Sequence, residues 1–167
     1  MKVEEALQTA LKFENRVRDA YREMAEAAGS EIGRDVFGVL AHEEQHHVEY
    51  LESRLSEWRR AGVITAEGLV TAVPNRAALE AGMAKLSADA TGEIRGGEVE
   101  MLRRALHMET EASGFYKRMV EELPETARPL FARFVEIEEG HAAIVQAELD
   151  YATGSGFMFD FRDFAIT

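Results

Sequence analysis

The segment AHEEQHHVEYL, residues 41–51, sets two overlapping carboxylate–imidazole pairs on one short stretch, Glu43 with His46 and Glu44 with His47. Side chains three residues apart on an α-helix project from one face, a turn apart, and can share a metal ion. A second Glu-x-x-His lies in FVEIEEGHAAI, residues 134–144, where Glu138 pairs with His141. There the alternative is closed, because Glu139 has Ala142 three residues on.

An internal repeat selects between the two pairs of the first segment. ALKFENRVRDAYREM (10–24) aligns with ALHMETEASGFYKRM (105–119) at a shift of 95, matching Glu14 with Glu109 and Tyr21 with Tyr116. FGVLAHEEQHH, from Phe37, aligns with FARFVEIEEGH, from Phe131, at a shift of 94. That alignment matches Glu44 with Glu138 and His47 with His141, whereas Glu43 meets Ile137 and His46 meets Gly140. Glu44 and His47 also fall on the apolar stripe of their segment, and Glu43 and His46 are expected to turn away from it, at about 100° per residue.

Four long helices must position these residues. Leu7, Leu11, Glu14, Val17, Tyr21 and Met24 recur at steps of three and four between Val3 and Ala28, the helical period. Gly29-Ser30 ends that run, and Ser30 is suited to cap a second helix reaching about Arg60. A third helix is predicted over Glu98 to Glu122 and a fourth over Glu125 to Ala152. Pro124 marks the break between them, and Pro129 is either tolerated in the first turns or moves the start later. Six glycines and one proline punctuate Gly62 to Gly97, leaving a long link with one short helix around Arg76 to Ser87. Two tight links and one long one describe an all-α four-helix bundle, two helical hairpins joined by a crossover, over residues 1–153.

Composition sets the bounds. The 167 residues are 46% hydrophobic and 30% charged, enough for one domain with a sizeable core. A net charge of −12 argues against nucleic acid or an anionic membrane as partner. With no cysteine, disulfides and thiolate-ligated iron are excluded. The N-terminus lacks the apolar core of a signal peptide and no run reaches membrane-spanning length, so a cytoplasmic protein is expected.

Each long helix thus carries one glutamate midway along its core-facing stripe: Glu14, Glu44, Glu109 and Glu138. Four unpaired carboxylates buried together would have to take up protons or bind cations. Two divalent ions with four carboxylates and two neutral imidazoles make a nearly neutral cluster.

This constellation, with its helix order and repeat, resembles the ferritin-like di-iron carboxylate superfamily and within it the rubrerythrin-like branch. The superfamily pattern is one Glu from each of two helices and Glu-x-x-His from each of the other two. The resemblance covers about Val3 to Ala152 and implies a metal site of Glu14, Glu44, His47, Glu109, Glu138 and His141. It implies that Glu44 and Glu138 bridge two metals, that Glu14 and Glu109 are terminal ligands, and that each metal takes one histidine. Two departures stand out: the four-cysteine iron domain of typical rubrerythrins is missing, and Ala112 stands where they carry a further carboxylate. A homodimer is also implied, with helices exchanged through the crossover.

Oxygen and imidazole ligands suit two iron ions, or manganese, with zinc the expected substitute after recombinant expression. The expected activity is that of an oxidoreductase reducing peroxide or dioxygen at a di-iron site, re-reduced by an external electron donor. The alternatives are a ferroxidase or iron-handling protein, and a non-catalytic protein whose metals only hold the helices together. Tyr21 and Tyr116, seven residues after Glu14 and Glu109, are candidate catalytic residues: each phenol can donate to a carboxylate or supply an electron, or simply satisfy its own OH. His42, His46 and His107 read as surface or outer residues, and Met24, Met101, Met108 and Met119 as packing. The tail, residues 154–167, alternates Phe157, Phe159 and Phe161 with Met158, Asp160 and Arg162, and is expected to cover the bundle end or the crossover, or to pack against a second subunit.

Overall fold

A computed structural model describes residues 1–74, 77–78 and 96–154. Four helices account for most of them: α1 (Val3–Ala27), α2 (Glu31–Ala61), α3 (Gly96–Glu122) and α4 (Arg128–Ala152). α1 pairs with α2 and α3 with α4, and α1 also lies against α3 across the two hairpins. The all-α, two-hairpin bundle is therefore the observed architecture. The phenylalanines of the tail and nearly all of the short helix expected around residues 76–87 lie outside the described residues.

The boundaries follow local chemistry. Ser30 Oγ accepts from the Gly33 amide at 2.9 Å, capping α2 as its side chain equips it to do. Glu98 of α3 reinforces that cap, its Oε1 accepting from Ser30 N at 2.9 Å and Ser30 Oγ at 2.8 Å. A Cβ on Gly33 would collide with that carboxylate, so the absence of a side chain there lets α3 dock on the turn between α1 and α2. α2 ends at Gly62, whose φ of 67° lies in the left-handed region that glycine enters without steric cost. Pro129 stands in the first turn of α4, so this helix begins three residues later than Glu125. Proline's missing N–H needs no partner there.

The core is not continuous. One apolar cluster gathers Val17, Met24, Phe37, Leu40, Leu102 and Val145 around the α1–α2 turn. The other gathers Leu7, Leu51, Phe115, Leu123, Phe131 and Phe134 at the opposite end. Between them every helix contributes a buried glutamate. No helix among the described residues is long and apolar enough to cross a membrane.

Candidate metal centre

The polar layer contains the six residues singled out by the repeat. Glu14, Glu44, His47, Glu109, Glu138 and His141 are all at most 1% exposed. They sort into two groups whose potential ligand atoms lie within 4.8 Å of one another: Glu14, Glu44, His47 and Glu138, and Glu44, Glu109, Glu138 and His141. Glu44 and Glu138 belong to both. The two imidazoles face each other with planes 5° apart and centroids separated by 5.4 Å, one in each group.

Distances within the groups suit shared ions. His47 Nδ1 stands 3.0 Å from Glu14 Oε2, 3.2 Å from Glu44 Oε2 and 3.5 Å from Glu138 Oε1. His141 Nδ1 stands 2.9 Å from Glu44 Oε1, 3.5 Å from Glu138 Oε2 and 3.9 Å from Glu109 Oε1. Two ligand atoms about 2.1 Å from one ion and at right angles to each other are about 3 Å apart. Hydrogen bonds alone do not satisfy the cluster. Glu44 Oε1, Glu109 Oε2, both Glu138 oxygens and both His141 nitrogens are buried with no hydrogen-bond partner among the described residues. Buried polar atoms ordinarily have partners, and paired cations would supply them here.

The rubrerythrin family model matches residues 5–149 of this chain. The chain belongs to the rubrerythrin family. Comparisons with curated proteins and with solved structures found no match. Within the rubrerythrin pattern, Ala112 is buried and offers no ligand. The neighbouring Glu111 is exposed on the outside of α3, paired with Arg16 at 3.3 Å. This rubrerythrin therefore has buried glutamate and histidine clusters suited to a dinuclear metal site, and no cysteine for an accompanying four-cysteine iron centre.

Without cations the cluster is arranged around protons. Burial pushes Glu14 and Glu109 well above the usual carboxylate range, with Glu138 and Glu44 adding repulsion in both cases. Burial would raise Glu44 too, but His47 and His141 outweigh it and hold Glu44 well below that range. Burial would lower the two imidazoles. Instead Glu44 and Glu14 hold His47 well above the ordinary histidine value, and Glu138 and Glu44 do the same for His141. Protons and cations thus compete for the same carboxylate oxygens and ring nitrogens.

The two tyrosines cross between hairpins. Tyr21 OH of α1 donates to Glu109 Oε1 of α3, and Tyr116 OH of α3 donates to Glu14 Oε1 of α1. Both phenols are fully buried, and burial followed by the accepting carboxylate raises each well above the usual phenol value. Tyr116 also stacks on Phe134 at 4.7 Å, and Phe134 meets the edge of His47 at 5.3 Å. Glu14, on this side of the layer, is 1% exposed.

Glu43 leaves the apolar seam of α2 as expected, yet it is only 3% exposed, because the first part of the crossover folds over that face. Thr71 Oγ1 donates to Glu43 Oε2, and the Ala72 amide to Glu43 Oε1 at 3.1 Å. Helical periodicity places a side chain on a face; it cannot report that a distant segment covers the face. His46 does turn outward, as do His42 and His107, and the His42 and His46 rings lie 4.3 Å apart at the surface. Met24 and Met108 belong to the apolar cluster near the α1–α2 turn and Met119 to the opposite one, and Met101 packs partly buried against the first.

Sequence reasoning also missed Glu148. It lies on the α4 seam seven residues beyond His141, 1% exposed, with neither oxygen hydrogen-bonded among the described residues. Burial raises it to about 8. The steps from Glu138 through His141 and Val145 place it on the core face, a signal that was legible in the spacing.

Proposed function

We propose that this rubrerythrin-family chain is a non-haem di-iron oxidoreductase that reduces peroxide or dioxygen with electrons from an external donor. The observation that carries the reading is the sharing of Glu44 and Glu138 between the two four-residue groups. Shared carboxylates hold two ions near each other, the arrangement a two-electron acceptor requires. Glu14 and His47 would complete one position, Glu109 and His141 the other. Four carboxylates balance two divalent cations, which removes the cost of burying unpaired charge.

Bound iron would supply the two electrons and the Lewis acidity for cleaving an O–O bond. The chain's own contribution is placement and exclusion. Tyr116 and Tyr21 fix the terminal carboxylates Glu14 and Glu109 through one hydrogen bond each. The apolar clusters on either side keep the layer dry, which strengthens every electrostatic contact within it. Reduction of one peroxide to two waters consumes two electrons and two protons, so the external donor must return two electrons per turnover.

The test is anaerobic Fe2+ loading of metal-free protein, followed optically as H2O2 or O2 is added. About two irons per chain, a change in iron absorption on oxidation, and continued peroxide loss when a reductant is present are expected. Oxidation that stops at one equivalent, with Fe3+ released, would instead mark a ferroxidase. A chain that takes up no iron would overturn the metal reading altogether.

A further inference from the structure

Glu43 sits beside the centre without belonging to either four-residue group, and its surroundings give it a use. Resting on the metal reading above, we propose that Glu43 is a positioning residue that fixes the ring orientation and tautomer of His141, and that the crossover holds Glu43 in place through Thr71 and Ala72. Oε2 of Glu43 stands 4.0 Å from His141 Nε2. That nitrogen is fully buried and has no hydrogen-bond partner among the described residues. The other ring nitrogen, Nδ1, points into the glutamate layer, 2.9 Å from Glu44 Oε1.

The tautomer decides the chemistry. An imidazole that gives its Nδ1 lone pair to a cation must carry its remaining ring proton on Nε2. That buried N–H then needs an acceptor, because an unmet donor in a dry interior costs as much as a lost hydrogen bond. Glu43 Oε2 is the carboxylate oxygen beside it, and a small turn of the ring or of the carboxylate closes the remaining gap. Acceptors of this kind set the orientation and basicity of metal-bound histidines.

Two further observations separate Glu43 from a bystander. Its carboxylate is itself oriented, with one crossover donor on each oxygen, so it cannot swing away from the ring freely. Thr71, one of those donors, also lines an open cleft of about 390 Å³ between the crossover and α4, together with Ile137 and Gly140. From the cleft, Thr71 reaches Glu43, whose Oε2 lies 4.0 Å from His141 Nε2. The repeat supplies only one such carboxylate, since the position matching Glu43 in α4 is Ile137. Glu43 lies within 4.8 Å of ligand atoms of both histidines but makes its nearer approach to His141, so the two metal positions are inequivalent.

The experiment is calorimetric titration of metal-free full-length chain with Zn2+, paired with 1H–15N spectra of histidine ring N–H groups in the loaded protein. Wild type is expected to bind two ions per chain and to show a slowly exchanging His141 Nε2–H signal. Glu43→Gln is expected to weaken one of the two binding events about tenfold to a hundredfold and to shift or broaden that signal. Thr71→Val, which removes one donor to Glu43 and leaves the centre untouched, is expected to move both readouts the same way by less. It also provides the answer if Glu43→Gln does not fold, as helicity and melting of the metal-free forms will show. Wild-type affinity together with an unchanged ring-proton signal in the folded variants would overturn the role of Glu43 while leaving the centre standing. A wild-type chain that binds no ion would overturn the centre, and this role with it.

Discussion

Tyr116 of α3 donates its phenol proton to Glu14 of α1, while the repeat-related Tyr21 of α1 donates to Glu109 of α3. The exchange ties the two hairpins together at the level of the polar layer, where apolar packing is interrupted. Tyr116→Phe keeps the ring on Phe134 but leaves a buried Glu14 oxygen without this donor. The expected loss is about 1–3 kcal/mol of metal-free stability, read from urea unfolding in chelator. Tyr21→Phe should match it. The double variant should depart from additivity, since Glu14 and Glu109 both face Glu44 and Glu138 in one network.

Sharing of Glu44 and Glu138 between the two groups makes a stoichiometric prediction. Glu44→Ala or Glu138→Ala should abolish tight binding at both positions, whereas Glu14→Ala or Glu109→Ala should spare one. Metal content after desalting distinguishes these outcomes. Equal loss from all four variants would argue against separate terminal and shared roles.

Removing the cations should make stability steeply pH-dependent. Glu14 and Glu109 are raised by burial and by neighbouring carboxylates. As pH climbs past the ordinary carboxylate range the unfolded chain ionises first, and stability falls. The stabilisation from raised His47 and His141 is complete below the ordinary histidine value and lost as pH rises through their folded values. Glu44 is depressed by its histidines after opposing burial, so its contribution is lost only as pH falls through its low folded value. As pH rises above the ordinary carboxylate range, and further above the ordinary histidine value, the metal-free protein should therefore lose stability while the loaded protein holds it. Melting temperatures with and without chelator should diverge as pH rises; parallel curves would contradict the assignment.

Glu148 offers a second pH test away from the centre. Burial raises it to about 8, so its neutral form is the one the fold accommodates. The unfolded chain gains increasingly from ionising this carboxyl between its ordinary value and pH 8, and the penalty is complete above that. Each pH unit of displacement is worth about 1.4 kcal/mol, so Glu148→Gln should stabilise the protein by a few kcal/mol at about pH 8.5 and hardly at all at about pH 4. Denaturant midpoints at the two pH values measure the difference. An equal change at both would mean that the carboxyl's charge is not the cause.

Much of this is legible in the amino-acid sequence. Period, repeat and spacing placed Glu14, Glu44, His47, Glu109, Glu138 and His141 on inward stripes at matching levels, and the structure brings all six into one buried layer. The helix breaks at Ser30, Gly62 and Pro124 were equally readable, because capping and φ restriction act within a few residues. Such features depend on covalent geometry along one helix, which the chain carries everywhere it goes.

Other features exist only once separate segments meet. Glu43 became buried because Thr71 and Ala72 arrived from the crossover. Glu98 became a cap because α3 reached Ser30, and each tyrosine found its carboxylate on the opposite hairpin. The amino-acid order by itself determined which face of each helix carries the chemistry. The tertiary structure alone decided what covers those faces and which donor meets which acceptor, because these depend on distances between segments that no local periodicity encodes.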